Sequence, residues 1–321
     1  MSILLPAGLP AGFILDAATV AHAAELFELR AAECVEAFGF CPDTVEDVRA
    51  DLALCEGSEF LQLIVRDAAG SLVQWWSTFT GPGDPTFYAW VSSDPQLAET
   101  LHDELSSAGW SVLLDWIREH AADGDGVIDV RSWCPAGSSA GHRRLAAAGF
   151  THRRTFWEMV GPVTDVARTP PAVPGLTITA AADSRSVYPV LDKAFEEHWG
   201  YTHLEYDDWM KVLPTIPGYD PALWFLASID STPAAAMILT RRAVSDGAMY
   251  VAELATLKEF RRRGIAAALL ATAFEVAAGE GLESVSLHVD SDNTFDAPSV
   301  YRRAGLDVRC AFHAHVRDLK R

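Results

Sequence analysis

From Gly161 to Gly175 the chain reads GPVTDVARTPPAVPG, four prolines with no periodic apolar pattern, and the same coarse order of strands and helices can be read on either side. A repeat of about half the chain, joined by an extended proline-rich stretch, restricts the fold to two similar domains. The expected division is a domain over 1–160, a linker over 161–175 and a second domain over 176–321. At 321 residues each half is long enough to bury a core of its own.

In the second half, Leu176 to Ala180 reads as a strand and Ser184 to Glu197 as a helix with Val187, Val190, Leu191 and Phe195 on one face. Leu223 to Ile229 and Ala234 to Thr240, split by the turn Asp230 to Pro233, predict a hairpin, and Ala248 to Leu257 a third strand. From Ile265 the apolar residues recur with helical spacing as far as the stop at Gly279 and Gly281. A strand over Val285 to Val289, a short helix over Pro298 to Ala304 and closing strands over Leu306 to Val316 complete the half. The first half runs in parallel: helix Ala21 to Phe38, strands Leu61 to Arg66, Leu72 to Thr78 and Thr86 to Val91, helix Trp110 to Ala121, strand Val127 to Trp133, and a short helix Ser139 to Ala148 before Gly149. Both halves are mixed α/β units.

The formal net charge is −19. It is uneven, with nine arginines and no lysine against 24 acidic residues up to Asp165, and 16 basic against 20 acidic residues beyond it. Such acidity disfavours nucleic acid and weakly favours an amine-bearing substrate, although surplus acid also serves solubility. The first basic residue is Arg30 and prolines break the apolar stretch near the start, so no signal peptide is read. The run Ile265 to Ala278 is interrupted by Thr272 and Glu275 and is too short to span a bilayer. A cytoplasmic protein with no membrane partner is expected. Five cysteines without a CxxC pair indicate neither a disulfide framework nor a zinc site, and no metal is expected.

The chemistry concentrates where the strand ending at Leu257 meets the helix opening at Ile265. Gly264 and Ala266 leave room for phosphate oxygens near the backbone, and first-turn N–H groups and the helix dipole favour negative charge. Arg261, Arg262 and Arg263 add cationic donors. Arg261, Gly264 and Ala266 follow the pattern Arg or Gln, two residues, Gly, one residue, Gly or Ala; Tyr301 stands four residues before Gly305 on the small helix, and Asn293 follows the preceding strand. In these residues the chain resembles the GCN5-related N-acetyltransferase (GNAT) superfamily. Asn293 precedes Tyr301 by eight residues where the family usually has seven.

The resemblance implies two tandem GNAT-like domains, each a mostly antiparallel sheet flanked by helices, with acetyl-CoA as acyl donor in the second. It places the cofactor at Ala255, Thr256, Leu257, Arg261, Arg262, Arg263, Gly264, Ile265, Ala266, Ala267 and Asn293. A backbone N–H near Leu254 to Thr256 would polarise the thioester carbonyl. Tyr301 would protonate the departing thiolate, against the alternative of an aromatic residue that merely packs the small helix. Glu253 is the candidate base, its alternative a cross-strand ion pair with Arg241 or Arg242. His198, Trp199 and Tyr201 would border the pocket of a small-molecule amine, unless Trp199 simply caps a loop. His313 and His315, on one face of the last strand, read as surface histidines.

Setting Leu113-Leu114 against Leu269-Leu270 puts Ala108 opposite Gly264 and Trp110 opposite Ala266, so that Ser106, Ser107, Asp103 and Glu104 replace the arginine-rich loop and Trp110 fills the phosphate space. Leu145 stands where Tyr301 does. The first domain is therefore expected to be degenerate. The function expected is direct acetyl transfer to a small-molecule amine; a non-catalytic acyl-CoA-binding or regulatory protein and a peptide or protein N-acetyltransferase are the alternatives.

Overall fold

The computed structural model describes residues 9–53, 59–121, 126–163, 172–181, 183–293 and 295–320. In chain order the first half contains β1 (Ile14–Ala17), α1 (Ala23–Phe38), α2 (Val45–Leu52), β2 (Glu59–Arg66), β3 (Leu72–Thr80), β4 (Phe87–Ser93), α3 (Glu99–His120), β5 (Val127–Pro135), α4 (Ser139–Ala147) and β6 (Thr151–Pro162). The second contains β7 (Leu176–Ala180), α5 (Ser184–Phe195), α6 (Tyr206–Val212), β8 (Trp224–Ile229), β9 (Thr232–Thr240), β10 (Ala248–Thr256), α7 (Ile265–Gly279), β11 (Ser284–Asp290), α8 (Ala297–Arg303) and β12 (Asp307–Lys320).

The chain forms two compact units whose limits differ from those expected: unit 1 is Met1–Thr155 with Phe312–Arg321, and unit 2 is Phe156–Ala311. The correction comes from two strands. In unit 2, Phe156 to Pro162 of β6 pair antiparallel with β11. In unit 1, Phe312 to Lys320 of β12 pair antiparallel with β5. Each half thus lends its last strand to the other. Gly161, expected in the linker, lies in β6, where a Cβ would come within 2.7 Å of Gly305 O. Residues 164–171 of the proline-rich stretch lie outside the described residues.

Strand order is β1-β2-β3-β4-β5-β12 in unit 1 and β6-β11-β10-β9-β8-β7 in unit 2. Within each unit only one neighbouring pair is parallel, β4 with β5 and β10 with β11. Helices cover both faces. In unit 1, α3 packs Leu105, Leu113 and Ile117 on one face, while α1 and α2 pack Leu26 and Val48 against Trp75 on the other. In unit 2, α7 lays Leu269, Leu270 and Phe274 on one face and α5 lays Val187, Val190 and Leu191 on the other. Among the described residues no helix is long and apolar enough to cross a membrane, and no group of His, Cys, Asp or Glu could hold a metal ion.

The helix expected from Trp110 begins eleven residues earlier, at Glu99. Ser106 and Trp110 are therefore buried residues in its middle, and Trp110 packs on Phe150 with ring centroids 4.7 Å apart. They do not replace a phosphate loop, as the alignment on Leu113-Leu114 suggested. The matching of the small helices stands: Gly149 and Gly305 adopt φ of 81° and 85°, and the N–H groups of Phe150 and Leu306 return to the carbonyls of Leu145 and Tyr301.

Candidate active site

β10 and β11 pair from Ala248↔Ser284 to Val251↔Leu287 and no further, although both strands continue. The register of β10 against β9 also shifts between Val251 and Glu253, the mark of a bulge that turns the strand. A wedge opens beyond Val251. Leu257 N–H bonds Ala234 O of β9 at 2.9 Å, so by strand alternation Leu254 and Thr256 turn their backbone groups to the wedge side. This is where the sequence placed the N–H that would face a thioester carbonyl.

At the wide end stands the α7 N-terminus. Gly264, its N-cap, has φ 88°, and neither a capping side chain nor an acidic residue occupies the first turn. The N–H groups of Ile265, Ala266 and Ala267 have no partner within the helix, and the first backbone bond there is Ala268 N–H to Gly264 O. Arg262 takes a left-handed φ of 62°, which bends the loop so that the chain enters the helix through Gly264.

The three arginines are not equivalent. Arg261 donates to Thr256 O (3.0 Å), Ala194 O (3.3 Å) and Glu197 Oε2 (2.9 Å), and its guanidinium lies 3.7 Å from the centre of the Phe295 ring. It ties the loop to the C-terminal end of α5. Arg263 donates to Glu259 O, and both Arg262 and Arg263 are exposed. Glu197, which also holds Lys258 at 2.6 Å, was not singled out from the sequence, where nothing in its spacing separates it from the neighbouring Glu196.

At the narrow end, Glu253 makes neither of the ion pairs weighed for it. Arg241 is bound by Asp220 and Glu280, both at 2.7 Å, and Arg242 lies over the Tyr250 ring. Glu253 has no hydrogen bond or ion pair among the described residues. Burial pushes its carboxyl up to about 7, yet part of its surface stays accessible, as for a group at the bottom of a cleft. Tyr301 is only 8% exposed. Burial, and then the charge of Glu253, push its phenol up to about 12. A carboxyl near neutrality and a phenol that stays protonated have the protonation states that base and acid catalysis require.

The other expected residues are divided. Asn293 uses its side-chain oxygen to accept from Phe295 N (2.9 Å) and turns its amide to His198 Nε2 (3.4 Å). Burial pushes the His198 imidazole below its ordinary value, opposed by the charge of Asp290. Tyr201 donates to Asp192 on α5 and does not join this group. Trp199 packs near Phe156, ring centroids 6.1 Å apart.

Residues 185–306, most of unit 2, match the acetyltransferase (GNAT) family. Unit 2 therefore carries a span similar to this family, and the wedge, loop and small helix described above lie inside it. The chain as a whole shares its tandem fold with solved structures. A GCN5-related N-acetyltransferase from Sphaerobacter thermophilus superposes with a TM-score of 0.81 at 24% identity, over 98% of each chain. A tandem GNAT protein from the clavulanic acid biosynthesis pathway superposes at 0.70 and 13% identity, over 96% of this chain and 99% of that one. A glucosamine N-acetyltransferase region of a fungal multi-domain β-N-acetylglucosaminidase reaches 0.68 at 16% identity, over 96% of this chain and 38% of that one. None of the curated proteins matches the chain in sequence.

Proposed function

We propose that unit 2 transfers an acetyl group from acetyl-CoA directly to the amine of a small molecule. One observation carries this reading: a single wedge has an uncapped helix N-terminus at one end and the Glu253–Tyr301 pair at the other. The first-turn N–H groups of α7 and the exposed Arg262 and Arg263 suit a pyrophosphate, and Gly264, with no Cβ, lets it approach. Arg261 holds the loop in shape. The wedge-side backbone of Leu254 and the N–H of Thr256 suit an amide-bearing arm, and acetyl-CoA, when bound, supplies the activated acyl thioester. Glu253 takes the proton from the incoming ammonium, directly or through water, and Tyr301 gives its proton to the departing sulfur. His198 and Trp199 border the acceptor side. The net acidity of the chain favours a cationic acceptor.

Incubation with labelled acetyl-CoA and an amine panel, read by mass spectrometry, should yield N-acetylated small molecules and free CoA. Acetyl-CoA binding without CoA release on any amine, together with an unchanged Tyr301→Phe variant, would remove the enzymatic reading.

A further inference from the structure

A separate groove lies away from this wedge. It lies in unit 1, has a volume of about 550 Å³, and runs between one face of α3 and the C-terminal half of α4. Four arginines reach it from three elements: Arg118 on α3, Arg143 and Arg144 on α4, and Arg317 on β12. This is an unusual concentration of cations for a half in which the 165 N-terminal residues carry nine arginines, no lysine and 24 acids.

Arg317 is the informative member. It is half-buried, its one hydrogen bond goes to Ala148 O, and no carboxylate pairs with it among the described residues. Burial, and then the neighbouring charge of Arg118, push its guanidinium below its ordinary value. A guanidinium held near another with no carboxylate of its own leaves a positive potential that a ligand can satisfy. The remaining arginines have carboxylate partners at the protein surface. Arg118, Arg143 and Arg144 pair with Asp115, Glu99 and Asp103, whose side chains are 64%, 71% and 54% exposed. Pairs this exposed contribute about 0–1 kcal/mol, so a ligand anion can take over their guanidiniums.

We propose that this groove binds a phosphate group, free or carried as a monoester of a small molecule. A carboxylate is satisfied by one bidentate guanidinium, whereas guanidiniums converging from three elements suit the tetrahedral set of phosphate oxygens. Ser107 and Ser111, exposed one helical turn apart on the groove side of α3, add hydroxyl donors, and Leu114 gives an ester an apolar wall. The site lies wholly in unit 1 and is independent of the chemistry of unit 2.

Calorimetric titration of the full chain with inorganic phosphate and with phenyl phosphate tests it. Saturable binding is expected, weaker at higher salt, and weakened roughly tenfold by Arg317→Ala and severalfold by Arg143→Ala. Arg49→Ala, an exposed arginine on α2 away from the groove, should change nothing. Arg143 is 57% exposed, so its variant reports on the site even where Arg317→Ala disturbs packing. Tighter binding of phenyl phosphate assigns the groove to a monoester, and equal binding assigns it to free phosphate. No uptake of either anion, or uptake that both arginine variants leave intact, overturns the proposal.

Discussion

The parallel pair β4–β5 of unit 1 separates after Phe87 and Tyr88, and the pair β10–β11 of unit 2 after Val251. Both units therefore open the same wedge, and the difference lies in what the chain puts there. In unit 1 the Ser93 N–H, at the end of β4, is taken by the Glu33 carboxylate at 2.8 Å. Next to it Gln74 ties Ser93, Ser106 and Trp76 into a buried network. In unit 2 the corresponding stretch, Leu254 to Thr256, borders an open cleft. At the helix ends, α3 carries Glu99 in its first turn, an anion already placed on the dipole, while α7 follows Gly264 with Ile265, Ala266 and Ala267 and no acid in its first turn. The small helices end in the same glycine turn but carry Leu145 in one unit and Tyr301 in the other. One skeleton engages its polar groups internally in unit 1 and leaves the α7 N-terminus without an acid or a capping side chain in unit 2.

The sharpest way to break this contrast is to give unit 2 the residue of unit 1. Tyr301→Leu should lower kcat by about 10²–10³-fold, the range for losing a positioned general acid, and leave acetyl-CoA affinity within about twofold. Leu145→Tyr should restore nothing. Steady-state kinetics with calorimetry separates the two parameters, and equal kcat in Tyr301→Leu and wild type would remove Tyr301 from the chemistry.

Gly264 offers the next largest effect. With φ at 88°, Gly264→Val places a branched side chain in left-handed backbone at a cost of roughly 1–2 kcal/mol, and sets its Cβ where phosphate must approach. Acetyl-CoA affinity should fall about tenfold or more. Ala98→Val, at the N-cap of α3, should leave that affinity unchanged. Arg261→Ala should behave differently from either, raising KM through a loosened loop, because its guanidinium is bound to Thr256 O, Ala194 O and Glu197.

Glu253 sharpens the comparison through pH. Its carboxyl, pushed up to about 7 by burial, is half ionised near neutrality. As a base it should make kcat/KM rise with pH and level off above about 7, while Tyr301, pushed up to about 12, stays protonated throughout. Glu253→Gln should lower the plateau and abolish that limb. A limb that persists unchanged would assign the proton transfer to another group.

Much of unit 2 was legible because its signals are local. The turn Asp230 to Pro233 marks the β8–β9 hairpin, and the shift from strand to helix period with Gly264 between marks the loop. Strand exchange was not legible, since the alternation in β6 and β12 says that each has a buried face and not which sheet receives it. The start of α3 was missed because Glu99 to Ser107 is mostly polar and only Leu101 and Leu105 keep the helical period. The small helix α2 has a signal that could have been read: Thr44 and Asp47 form a capping box, with Asp47 N–H donating to Thr44 Oγ1 at 3.2 Å and Thr44 N–H to Asp47 Oδ2 at 2.8 Å. Within the site, residue types were readable but engagements were not, as with Arg261, whose three acceptors include Ala194 O of α5 and Glu197 just beyond it.

The crossing strands carry the last contrast. In unit 2, Arg309 of β12 binds buried Glu158 of β6, which Cys310 also contacts. In unit 1 the same two strands carry His152, His313 and His315, with His142 of α4 stacked against them. His315 is 5% exposed, which corrects the expectation of a surface histidine. Burial, and then the neighbouring imidazoles, hold it neutral down to about 4. The unfolded chain takes up that proton near pH 6.5. More protons are therefore bound unfolded than folded between 6.5 and 4, so this stability is present above 6.5 and is lost as pH falls. By pH 5 the loss is about 2 kcal/mol. Glu33 and Glu253, raised to about 7, act with the opposite sign between 4.5 and 7. The clean readout is thus a difference: urea unfolding of wild type and His315→Asn at pH 7.5 and pH 5. The variant should lose less stability on acidification, and equal losses would show that the imidazole cluster does not sense acid.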